Sequence, residues 1–263
     1  MKIFLIVSLC LYAVGFLLLL VNHLIRSQWA LRLKTVSTVV IAAGFVAHTA
    51  ALIERIVSTG HAPMASMYET LAFYGWMTTL VTLFVIWRYK ERSVPLVTML
   101  VAAVTVAFAI TKEKPGGPLT LILDTRWFET HVTASFAAYA LFTLAFAGAV
   151  LYLIAAFRSE DEAALRKYQD IAGRSVLWGF FFFSVSMFAG AIWGYLAWGM
   201  YWMWEPKVIW SFIVWFFYAG AMHAYFVKEW RGLGLSVATV IGMFIVAFTY
   251  VGVSMLMKSS HSF

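Results

Sequence analysis

The chain has 263 residues, of which 63% are hydrophobic and 12% charged, with a formal net charge of +7. A chain this apolar does not stay in water as a globular domain. Its basic residues lie scattered between apolar runs, which excludes a nucleic-acid patch and leaves a polytopic helical membrane protein. The single cysteine, Cys10, lies inside the first apolar run and excludes a disulfide framework, a thiolate metal cluster and a CxxCH motif.

Apolar runs close to the ~20 residues that a bilayer requires predict eight membrane helices at about 3–21, 35–53, 67–87, 94–111, 132–157, 174–195, 208–226 and 233–256. The first run follows Lys2, as in a signal peptide, but no small-residue cleavage site follows it, so it is expected to remain a helix. No linker or repeat divides the chain, and 1–263 is expected to form a single transmembrane domain of all-α class. Twelve of the nineteen Lys and Arg residues fall in the connections around 22–34, 88–93, 158–174 and 227–232. Positive charge is retained on the cytoplasmic side, so both termini are expected on the outer, periplasmic-type side.

Three connections carry further information. In 112–130, the sequence KEKPGGP breaks helical structure before LILDTRWFET leads into His131. The segment 158–173, RSEDEAALRKYQDIAG, mixes both signs of charge and is expected to be a short amphipathic helix with no chemistry of its own. The third, a tryptophan-rich loop expected at about 193–210 on the outer side, opens the stretch WGYLAWGMYWMWEPKVIWSFIVW. This stretch holds Trp193, Trp198, Trp202, Trp204, Trp210 and Trp215, half of the chain's twelve tryptophans. Pro206, beside Glu205 and Lys207, places the cluster at a membrane surface. Such a surface suits a large, flat, apolar ligand, although tryptophan also collects in ordinary aromatic belts.

Ionisable side chains at membrane depth are costly, so the six histidines are the next candidates. His131 and His261 fall on the same side as the tryptophans. Two imidazoles above and below an aromatic surface provide what bis-histidine ligation of haem iron requires. His223 lies about 22 Å below Val208 at the 1.5 Å rise of a helix, in the inner half of its span. His48 is expected to be structural, with haem ligation a lesser option, and His23 to anchor the first helix. His61 lies in a surface loop, and Glu69 reads as a helix-start charge rather than an acid catalyst. No nucleophile has an adjacent base, no glycine loop cradles phosphate and no carboxylate cluster suits a metal, so any chemistry belongs to a cofactor.

Four segments carry a resemblance: TGHAPMASMYETLAFYGW, WFETHVTASFAAYALF, WGMYWMWEPKVIWSFIVWFFYAGAMH and VGVSMLMKSSHSF. Together they resemble the CcsA/ResC family, the tryptophan-rich (WWD-domain) membrane subunit of System II cytochrome c synthase, over nearly the whole chain from the second helix onward. The resemblance implies a holocytochrome c synthase subunit that handles haem b. Haem would be held at an inner site through His223, whose axial counterpart comes from a ResB/CcsB-type membrane subunit, and passed to an outer site between His131 and His261. There Trp193, Trp198, Trp202, Trp204 and Glu205 would form the binding surface, and His131 and His261 would serve both as iron ligands and as catalytic residues. The resemblance also implies an inner-membrane protein with a periplasmic active face, and export and covalent attachment of haem to the CxxCH motif of apocytochrome c. The family usually carries Asp at the position of Glu205 and an acidic residue at that of Val208. A CcmC-like carrier that hands haem to a chaperone, a HemX-like protein and a b-type haem membrane protein without attachment activity share the fold and remain alternatives.

Overall fold

The structure is a computed structural model and describes residues 1–24, 30–89 and 93–257. Regular structure among the described residues is entirely helical, and eight helices are long and apolar enough to cross a membrane. They divide between two compact units, Met1–Leu119 and Thr120–Phe263.

The first unit holds α1 (Lys2–Leu24), α2 (Ala30–Thr59), α3 (Met67–Tyr89) and α4 (Val94–Thr111). Each helix packs on its chain neighbours and α4 returns to α1, giving a four-helix bundle. Small residues allow the helices to approach closely, as membrane interfaces require. A Cβ on Gly44 would lie 2.8 Å from the Tyr12 ring, so the α1 tyrosine rests directly on the α2 backbone. The bundle interior is polar in places: Tyr12 Oη and His48 Nδ1 are 3.2 Å apart, and Thr82 donates to Thr98 at 2.8 Å.

The second unit holds α5 (Arg126–Phe157), α6 (Glu162–Trp198), α7 (Pro206–Phe226) and α8 (Leu233–Ala247). The last of these continues through a π-helical turn, Phe248–Gly252, into the short α9 (Val253–Leu256). In its core, Gly179 of α6 lies against the Phe142 ring of α5, and Phe142 stacks on Tyr218 of α7 with centroids 3.6 Å apart.

Several helices exceed their apolar runs, α5 and α6 among them. α5 begins at Arg126, not 132, because Thr125 caps it, accepting from Phe128 N–H at 3.1 Å. The charged segment expected as a separate short helix is instead the beginning of α6. Asp161 caps it through Ala164 N–H, the pairs Glu162–Arg166 and Asp170–Arg174 support it at i, i+4, and nothing breaks the helix before Gly199. At 37 residues α6 is about 56 Å long, well beyond a hydrocarbon core of about 30 Å.

Candidate functional site

The tryptophan loop is shorter than its sequence outline. Gly199, at φ 74°, ends α6 in the left-handed conformation that favours glycine, and Pro206 opens α7, so only 199–205 is non-helical. Trp193 and Trp198 therefore stand on α6, Trp202 and Trp204 in the loop, and Trp210 and Trp215 on α7. Glu205 occupies the N-cap position of α7 without its side chain capping the helix.

These tryptophans differ in their surroundings. Trp193 is 4% exposed and donates from Nε1 to the Ile122 carbonyl at 2.8 Å. Trp198 meets its ring edge-on at 4.9 Å and Phe128 packs at 5.0 Å. Trp202 and Trp204 both pack on Phe212, at 4.8 and 5.7 Å, but Trp204 remains 72% exposed. Trp193 is thus a wall, and Trp204 an open face.

His131 lies on that wall. Its ring is nearly parallel to that of Trp193, at 20° and 6.1 Å between centroids. Nδ1 lies 2.9 Å from the Ser186 carbonyl oxygen on α6. A carbonyl only accepts, so Nδ1 carries the proton and the imidazole lone pair resides on Nε2, the form in which histidine ligates iron. The hydroxyls of Ser135 and Ser186, 2.6 Å apart, share the His131 backbone carbonyl at 2.8 and 3.0 Å. The approach of α5 to α6 depends on Gly190, where a Cβ would lie 2.6 Å from His131 Nδ1. Ser186 and Gly190 had no individual signal in the sequence. Only the small-residue run around Gly190 marks a helix surface that allows close packing.

His223 lies seventeen residues beyond Pro206, about 26 Å along α7 and at the opposite end of the unit from the tryptophan loop. It is exposed, in line with exposed Ile209, Ile213, Phe216 and Gly220 at helical spacing. This chain supplies one side of any site there. His261 lies outside the described residues.

The remaining histidines belong to the first unit. His48 is fully buried against Tyr12. His61 ties two loops together, with Nδ1 2.7 Å from the Ala62 carbonyl and Nε2 2.9 Å from that of Gly117. Glu69 is not a surface charge. It is 1% exposed, accepts from Arg55 Nε at 2.7 Å and from Ala65 N–H at 2.7 Å, and joins α2 to the start of α3.

A family model described as cytochrome C assembly protein matches residues 64–261. Among similar curated proteins is the cytochrome c biogenesis protein CcsA of Chlamydomonas reinhardtii, 27% identical over 81% of this chain and 64% of that protein. The protein of the same name from Synechococcus sp. (strain RCC307) is 27% identical over 88% of this chain and 85% of its own length. Among solved structures, the cytochrome c haem lyase CcmF superposes with a TM-score of 0.67 at 20% identity, over 95% of this chain. This chain spans about half of the CcmF chain, 48%, and under two thirds of the Chlamydomonas protein.

Proposed function

The chain belongs to the cytochrome c assembly protein family, and from that premise we propose that it binds haem b as its substrate and presents it for covalent attachment to apocytochrome c, as a subunit of a holocytochrome c synthase. A role in cytochrome c maturation follows from the family; the haem site and the attachment are inferences from this chain's residues.

The observation that carries them is the seat of His131. The residues fit the substrate: the Nδ1–H bond to Ser186 orients the ring and leaves Nε2 as the donor nitrogen, and the Trp193 wall holds the plane of the ring. Exposed Trp204 offers a flat apolar surface in the adjoining loop. His261 is proposed as the second axial ligand of this outer site. With haem so held, each thiol of a CxxCH motif adds its S–H across a haem vinyl group, forming a thioether with no atom lost. The chain's contribution is proximity and orientation.

His223 is proposed as the inner haem ligand. Its exposure on a membrane helix supports a ResB/CcsB-type partner subunit that covers this face and supplies the opposite ligand. The distribution of Lys and Arg supports inner-membrane residence with the His131 side facing the periplasm.

The test is the reduced visible spectrum of the purified protein, alone and with any co-purifying subunit, for wild type, His131→Ala, His261→Ala and His223→Ala. Loss of bound haem in the His131 and His261 variants, restored by added imidazole, is the expected result. It should accompany loss of cytochrome c maturation while the protein still accumulates. Normal maturation in both outer-histidine variants rules the reading out.

A further inference from the structure

Lys207 does not figure in the reading above, yet it is the basic residue of the tryptophan segment itself. Its Nζ donates to the Tyr250 carbonyl at 3.1 Å and to Ser254 Oγ at 2.6 Å, and lies 5.6 Å from the centre of the Tyr250 ring. Both acceptors are neutral. Among the described residues no carboxylate pairs with this part-buried ammonium, and neighbouring Glu205 is not one of its partners. An ammonium has three donors, and a charge withdrawn from water calls for a counter-charge. Ionisable side chains in membrane spans pair with one another or with backbone carbonyls, as here, and mark candidate substrate sites.

The backbone holding Lys207 is also specialised. The turn Phe248–Gly252 is π-helical, with Val253 N–H bonded to the Phe248 carbonyl. Such turns interrupt α-helices frequently at functional sites. Here the turn carries Tyr250, whose carbonyl takes both the lysine and Ser254 Oγ, the latter at 2.7 Å. The Tyr250 ring meets Phe136 edge-on at 5.3 Å, five residues along α5 from His131. Lys207 is thus linked, through Tyr250, to α5, the helix that carries His131.

We propose that the Lys207 ammonium binds a carboxylate of the substrate, a propionate side chain of the haem, and so selects an amphiphilic macrocycle with an anionic edge over a wholly apolar one. The proposal rests on the haem-binding reading. An ion pair of this kind would fix the rotation of the macrocycle about the histidine axis, which ligation by imidazole alone leaves free.

The test compares the binding of haem with that of its dimethyl ester, in which both propionates are neutral, to the full-length protein in detergent. Wild type, Lys207→Met and Lys207→Arg are measured with both ligands, and comparison across variants cancels partitioning into detergent. Wild type is expected to prefer the diacid by at least about tenfold, the factor that one charge-assisted hydrogen bond supplies. Lys207→Met should remove that preference by weakening only the diacid, while Lys207→Arg retains it. Unchanged binding of the diester by Lys207→Met also shows that the variant is folded. Equal weakening of both ligands, or a preference that survives in Lys207→Met, overturns the proposal and leaves a structural lysine or a lipid phosphate as its partner. Binding of neither ligand by wild type overturns the haem reading itself, and this inference with it.

Discussion

Replacing Arg55 with alanine breaks the most buried ion pair among the described residues of the first unit. Arg55 and Glu69 are 8% and 1% exposed, the guanidinium Nε sits 2.7 Å from Oε1, and Nη2 reaches the Lys114 carbonyl at 3.0 Å. In Arg55→Ala the Glu69 carboxylate keeps the Ala65 N–H as its one donor among the described residues, in a site closed to water. Removing one partner of a buried pair costs about 3–5 kcal/mol, because the other charge remains desolvated. Hydrogen exchange of peptides from α2 and α3, read by mass spectrometry, measures the local opening energy. At 1.4 kcal/mol per decade, the slowest amides should exchange roughly a hundredfold to several thousandfold faster. Glu69→Leu should behave similarly, leaving the guanidinium charge buried. The double variant Arg55→Met/Glu69→Leu should lie much nearer wild type than the sum of the single effects, since a hydrophobic pair carries no desolvation penalty. Single variants within about 1 kcal/mol of wild type, the range of exposed pairs, would refute the burial argument. So would strict additivity in the double variant.

Two further expectations separate architecture from binding. Gly190→Ala places a methyl group where His131 Nδ1 now packs, yet alanine favours a helix interior over glycine by about 0.5–1 kcal/mol. Unfolding should therefore show little loss of stability while bound haem falls, and retained haem would show that the imidazole does not need this seat. Trp193→Ala, which removes a buried wall and its bond to Ile122, should cost about 3–5 kcal/mol of stability. Trp204→Ala should leave unfolding unchanged and weaken haem binding, measured by absorbance titration; the reverse pattern would exchange their roles.

The eight spans were legible in the sequence because an apolar bilayer imposes about 20 consecutive apolar residues on any helix that crosses it. The helix ends were less so. Apolar runs stop where lipid stops, whereas α6 continues into charged residues because Asp161 caps it and its i, i+4 pairs sustain it. The site divides in the same way. His131, His223 and the tryptophans are visible as residue types that are costly or specialised in a membrane, and so is Pro206, which opens α7, whereas the end of α6 at Gly199 shortened the loop expected at about 193–210. Their environments depend on partners remote in the chain: Ser186 lies 55 residues from His131, and Tyr250 lies 43 from Lys207. Glu69, which reads in the sequence as a helix-start charge, is buried because packing joins it to Arg55 and shuts out water. The spans and the kinds of chemistry available follow from composition, which sets what a bilayer admits. Which nitrogen of His131 holds its proton, which tryptophan is wall and which is face, and which charges are paired follow from packing, because each depends on what a side chain meets across helices.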